Sequence, residues 1–184
     1  MLKSYLVGVL LLVSYSLMVK ADELDNSLKV IASSDRDLII EFVPPGWRMD
    51  SLQIDGDWYQ KLSCLGAGFS GQEGQPLIPV KVAMVGIPVA AQPRYTLLEA
   101  SFQQLSPIKL LPHPRLVVEE GLAIEKYIPD TEFYQLGNVF PKEIVELEPP
   151  GYFRHQRIVR VKIYPVQYIP AEGIVRRYDK IVVK

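Results

Sequence analysis

Apolar residues recur at alternate positions in short runs bounded by glycine and proline, a rhythm that predicts strands along most of the chain. Leu28-Lys-Val-Ile31 and Asp37-Leu-Ile-Ile-Glu-Phe-Val43 predict two strands joined by a Ser33-Ser34-Asp35-Arg36 turn and ended by Pro44-Pro45-Gly46. Ser51 to Trp58 alternates next, with Leu52 and Ile54 on one face and Gly56 at a bend or bulge, and the pattern runs on to Leu62. Each run has the length of a sheet strand and is too short for an independent helix.

Ser63 to Pro76 is a turn-rich loop with four glycines, Gly66, Gly68, Gly71 and Gly74. Leu77 to Ile87 follows as a mostly β-branched, apolar run closed by Pro88, which predicts a strand buried on both faces. Arg94 to Leu105 fits either period: Leu97, Leu98, Phe102 and Leu105 suit a helical face, while Thr96, Leu98, Ala100 and Phe102 alternate. Its bracketing prolines, Pro93 and Pro107, and its strand-like surroundings favour a strand. Pro107 to Pro150 predicts loops with short strands, among them Leu116-Val-Val118 and Ile124 to Pro129. Arg157 to Tyr164 alternates as a half-buried strand, and Arg177 to Val183 is the last one. Many short strands, frequent prolines and no clear helix predict an all-β fold, an antiparallel β-sandwich. The final strand runs to Lys184 without a terminator, so a further domain is expected to follow it.

The first residues fall outside this pattern. Lys3 precedes an apolar segment from Tyr5 to Val19, and Val19 and Ala21 occupy the small-residue positions of a cleavage site. Residues 1–21 therefore read as a signal peptide, and residues 22–184 as one secreted domain beginning at Asp22. Cleavage removes Lys3 and Lys20 and no acids, leaving 18 basic against 21 acidic side chains, a formal charge of −3. That balance argues against a nucleic-acid footprint. Cys64 is the only cysteine, so an internal disulfide is excluded.

Candidate chemistry is sparse. Gly66-Ala-Gly-Phe-Ser-Gly71 has the spacing of a dinucleotide fingerprint, but Gln72-Glu-Gly-Gln-Pro76 cannot open the helix that motif needs. Cys64 could pair with His113 or His155 as a nucleophile, yet between Leu62 and Leu65 it reads as inert packing. No metal site is expected from two distant histidines and one cysteine, no loop carries a regular calcium-binding spacing, and no cofactor is expected. Trp47, Trp58 and the tyrosines leave open a secreted carbohydrate- or protein-binding module. Among basic side chains, Lys126 in its proline-bounded segment and Arg115 after Pro112-His-Pro114 are best placed to enter a partner's acidic pocket.

Several motifs fall in a familiar order. Gly74-Gln-Pro-Leu-Ile-Pro-Val80 with Gly86-Ile-Pro88, then Phe140-Pro141, Gly151-Tyr-Phe-Arg154, Val161-Lys-Ile-Tyr-Pro-Val-Gln-Tyr-Ile-Pro170 and Ile174 to Val183, resemble the N-terminal prodomain of gingipain-type cysteine peptidases. The resemblance runs from about Leu28 to the end. It implies a non-catalytic β-sandwich that assists folding of a secreted cysteine endopeptidase and keeps it latent. The catalytic domain of that peptidase, in cis or in trans, would be its partner. Gingipains prefer Arg or Lys, and a basic prodomain side chain can fill the specificity pocket; Lys126 or Arg115 would then take that role. Cys64 lies within the prodomain-like region and inherits no catalytic part.

Overall fold

The computed structural model describes residues 26–184, so the expected signal peptide at residues 1–21 lies outside the described residues. The strands are β1 (Leu28–Ser33), β2 (Leu38–Phe42), β3 (Trp47–Ile54), β4 (Asp57–Cys64), β5 (Gly68–Ser70), β6 (Ile78–Gly86) and β7 (Leu97–Leu105). They continue with β8 (Arg115–Glu119), β9 (Leu122–Lys126), β10 (Val145–Leu147), β11 (Gly151–Phe153), β12 (Gln156–Ile163), β13 (Val166–Ile169) and β14 (Ile174–Val183). Helical structure among the described residues is confined to two single 3-10 turns, Phe133–Gln135 and Pro170–Glu172. The fold is all-β, with antiparallel sheets, as the alternation predicts.

Two five-stranded sheets carry the core. In the first, β14 has β7 along the whole of one edge, so β13 and β2 follow one another along the other, with β1 beyond β2. In the second, β12 pairs with β6 on one edge and with β10 and β11 in succession on the other; β5 joins β6. Phe42, Tyr178, Ile181 and Val183 of the first sheet meet Val159, Val161 and Ile163 of the second in one buried cluster.

A bulge lets β14 serve a second cluster. Tyr178 pairs with Phe102 and Lys180 with Ser101, leaving Asp179 as the extra residue. Without it, Val175 would share a face with Ile181 and Val183, because side chains alternate strictly along a strand. With it, Val175 points to the opposite side, where it packs with Leu62, Ile78, Val80, Leu110, Val166 and Tyr168.

The strand predicted as buried on both faces is so only at its start. Ile78, Pro79 and Val80 are buried, but beyond Lys81 the pattern alternates, and Val82 and Met84 are 43% and 63% exposed. Ala83 and Val85 face the first cluster with Val161 and Val159, their partners in β12. Val82 and Met84 pair with Lys162 and Arg160 on the outer face, which nothing covers along that half. The stretch from Ser51 to Leu62 is likewise two strands. Asp55 (φ 48°) and Gly56 (φ 92°) form a two-residue turn with both φ positive, the type I′ geometry that matches strand twist.

Ile181 is wholly buried between the two sheets. Ile181→Ala should lower unfolding free energy by about 2–5 kcal/mol through lost burial and a residual cavity. Urea denaturation with an unchanged slope would measure it.

Candidate functional site

Two hairpins lie outside both sheets, β3–β4 and β8–β9; the first buries Tyr59, Leu62 and Cys64 in the core clusters, whereas the β8–β9 hairpin buries no residue. Its turn, Glu120 (φ 52°) and Gly121 (φ 81°), is again a two-residue turn with both φ positive. From Arg115 to Lys126, Val117 alone is half-buried and every other residue is exposed. Leu116, Val118, Leu122 and Ile124 are among the exposed apolar side chains, with Val118 77% accessible. An isolated two-stranded hairpin is marginal in water, so this one depends on its base.

The register places Arg115 opposite Lys126 at that base, on the face shared with Val117, Glu119, Leu122 and Ile124. Leu116, Val118, Ala123 and Glu125 form the other face. The two basic candidates are thus brought together, but at the foot of the hairpin rather than at its tip. Each has an acidic partner: Arg115 Nε lies 2.8 Å from Glu73 Oε2, and Lys126 Nζ contacts Glu119. All four side chains are about half exposed, where such pairs contribute little and open readily.

The base is clamped by the loop that precedes β6. Gly74 N–H donates to His113 O (3.0 Å), Asp130 N–H donates to Gly74 O (3.0 Å), and His113 N–H donates to Gln75 O (2.7 Å). The chain entering the hairpin and the chain leaving it are therefore held by the same loop. Gly74 sits at φ 81°, and a Cβ there would lie 3.0 Å from Ile128 O and 3.1 Å from Asp130 N. Only glycine fits both the backbone angle and the space. Below it, Tyr127 packs against a small buried cluster of Tyr59, Leu77 and Leu111. The Tyr127 hydroxyl donates to the Glu125 carboxylate, and burial together with that carboxylate pushes its pKa up to about 12.

The runs Leu116–Val118 and Ile124–Pro129 made this hairpin legible in outline, while the Glu120-Gly121 turn that joins its strands went unread. Its detachment from the sheets, and the exposure of its apolar side chains, were missed. The histidines supply no site: His113 is half-buried in the clamp with its Nδ1 at Pro114 O, and His155 is exposed in the turn between β11 and β12. No group of three or more His, Cys, Asp or Glu among the described residues is placed to hold a metal. Trp47 is half-buried beneath the Arg177 guanidinium, which leaves Trp58 as the exposed tryptophan.

A family model described as Propeptide_C25 matches residues 21–184. The chain belongs to the Propeptide_C25 family. The Lys-gingipain of Porphyromonas gingivalis is 25% identical over 126 residues, 65% of this chain and 7% of that protein. The Lys-gingipain of strain W83 matches equally. The chain thus spans under a tenth of the length of the curated relatives it matches. A chain from the complex of P. gingivalis RgpB pro- and mature domains superimposes with a TM-score of 0.78 at 18% identity, covering 86% of this chain and 83% of that one. A structure described as bearing on the zymogenic latency of gingipain K, also from P. gingivalis, superimposes with a TM-score of 0.72 at 21% identity, covering 89% and 93%.

A Propeptide_C25 domain is the non-catalytic part of a gingipain-type peptidase, and the chemistry of Cys64 agrees. The thiol is buried in the first core cluster and burial pushes its pKa up to about 11, so no thiolate is available at neutral pH.

Two outcomes are expected. Gly74→Ala should cost about 1–3 kcal/mol in strain at the clamp and make the hairpin cleave faster in limited proteolysis. Because the folded Cys64 pKa lies above the ordinary thiol value of 9.0, the unfolded chain loses the thiol proton first. Stability should fall as pH rises from about 9 toward about 11, and Cys64→Ala should flatten that slope in denaturation curves taken across the range.

Proposed function

We propose that this domain keeps a gingipain-type cysteine endopeptidase latent by covering its cleft, and assists that enzyme's folding. The observation that carries the reading is the β8–β9 hairpin in a Propeptide_C25 domain: a clamped element that presents apolar side chains on both faces and buries almost none of them. Its apolar residues supply the contact area, and the clamped base limits the entropy lost on docking. The rest of the interface would come from the neighbouring loops, at the standard size for a stable complex. Lys126 or Arg115 is the basic side chain assigned to the enzyme's specificity pocket. Exchange of its exposed intramolecular partner, Glu119 or Glu73, for a desolvated acid in the pocket would be favourable.

Residues 1–21 are assigned as a cleaved signal peptide and residues 22–184 as the exported prodomain. An extracellular or periplasmic setting suits both the leader and the family.

The test is inhibition of a Lys-gingipain by the purified protein, with complex formation followed by gel filtration. Latency requires a saturable fall in activity, and unchanged activity with no complex would sink the reading. The double variant Leu116→Asp/Val118→Asp should weaken inhibition by at least about tenfold, the equivalent of 1.4 kcal/mol. Lys126→Ala or Arg115→Ala should do the same for whichever residue enters the pocket. Full inhibition by both single variants would remove the basic side chains from the mechanism while leaving the hairpin in it.

A further inference from the structure

Where β14 ends, the two sheets part and a cavity of about 760 Å³ opens between them. Its walls are the inner faces of both sheets: Leu38, Ile40 and Val183 from the first, Val85, Val159 and Val161 from the second. Ile40, Val159, Val161 and Val183 are buried, whereas Leu38 and Val85 at the mouth are only half-buried. The gap follows from side-chain size. Stacked sheets stand about 10 Å apart. Elsewhere in this cluster Phe42 and Tyr178 fill that space, but at this end mostly valines face one another. A slot between two such layers suits a slender hydrocarbon chain, and its volume lies in the usual range of small-molecule sites, roughly 300–1,000 Å³.

The mouth is polar, and its charge is lopsided. It carries Arg36 from the β1–β2 turn, Arg94 from the strap of residues 88–96 that joins β6 to β7, and Lys184. Arg36 and Arg94 are exposed, and neither side chain has a partner among the described residues. Every other arginine there contacts a carboxylate, a backbone carbonyl or an aromatic ring. The two unpaired guanidiniums thus stand at the same opening. Its acids are Asp37, held 3.2 Å from Lys184 Nζ, and Asp35 beside Arg36 in the turn. Glu143 and Glu146 border a separate recess beyond the strap. The strap is fixed at its ends. Arg157 donates to Pro88 O, Val89 O and Ala91 O, and Thr96 exchanges two backbone hydrogen bonds with Lys184. Between those ends, residues 92–95 make no backbone hydrogen bond among the described residues, so Arg94 rides on a segment that can adjust.

We propose that this cleft binds a long-chain fatty acid, its hydrocarbon between the sheets and its carboxylate at Arg36 and Arg94. The chain covers the exposed parts of Leu38 and Val85 and supplies contacts to walls that otherwise lack them on one side. The carboxylate gains charge-assisted hydrogen bonds from two guanidiniums that break no existing pair to form them. Arg36, Arg94 and Lys184 against Asp35 and Asp37 leave an excess of one positive charge, which matches a single carboxylate rather than a doubly charged phosphate. A neutral lipid would leave both guanidiniums unpartnered. The cleft is also remote from the hairpin: β14 begins with Val175 in the second cluster, beside the clamp, and reaches the cleft only at Val183.

Titration of the purified protein with cis-parinaric acid, whose fluorescence rises in apolar surroundings, should show saturable binding. Oleate should displace the probe at concentrations about tenfold or more below those of oleyl alcohol. The double variant Arg36→Ala/Arg94→Ala, at exposed positions, should erase that preference and leave displacement by oleyl alcohol unchanged. Val85→Phe, which fills the mouth of the slot, should weaken binding of the probe by about tenfold or more with an unchanged circular dichroism spectrum. Absence of saturable binding overturns the proposal. So does equal displacement by acid and alcohol, a preference for the acid that survives loss of both arginines, or full binding by a folded Val85→Phe. Loss of binding in Leu116→Asp/Val118→Asp would put the probe on the β8–β9 hairpin, which also overturns it. None of these readouts depends on whether that hairpin enters a peptidase cleft.

Discussion

The central strand β14 is the constraint on which the remainder depends. It has neighbours on both edges, β7 along one side and β13 then β2 along the other. The bulge at Asp179 then lets a single strand supply Val175 to one buried cluster and Tyr178, Ile181 and Val183 to another on the opposite side. A regular strand would send its apolar residues to one face and leave the second cluster without a floor. The outer face is tied across the same strand, with Lys180 between Glu41 and Glu99, although exposed ion pairs of this kind add little.

The second cluster matters because it carries the loop that positions the hairpin. Ile78 and Val80 are fixed in it, so the residues just before them, Gly74 to Leu77, approach the hairpin from a rigid base. Leu77 N–H donates to Leu111 O (2.8 Å), and Gly74 and Gln75 take hold of His113 and Asp130. Rigidity thus passes from the core through β6 to an element that has no core of its own. The arrangement places apolar side chains where a partner can cover them and gives up stability of the isolated hairpin to do so, a common bargain at binding sites.

The exposed apolar surface is distributed with some logic. Val82 and Met84 lie singly among ion-paired Arg160 and Lys162 and need no explanation. The β8–β9 hairpin differs, because it presents both faces of a strand pair without local cover.

Much was determined by the sequence alone. Strict alternation and dense turn chemistry specify strands, exclude long helices and set the all-β class, because side-chain period is a local property of the backbone. The strand choice for Arg94 to Leu105, whose periodicity fits either class, was legible from its bracketing prolines and strand-like surroundings, and inert packing for Cys64 from its flanking leucines. Glycine-proline motifs in order carried the family resemblance. Tertiary structure alone decided which faces are covered. Leu77 to Ile87 is apolar apart from Lys81, yet only its first third is buried on both faces, since burial depends on what packs above a strand and periodicity is silent on that. The same holds for Arg115 and Lys126, whose pairing at the hairpin's foot follows from register. Gly74 looked like loop punctuation; one carbonyl and one amide from distant segments, those of His113 and Asp130, made it a clamp.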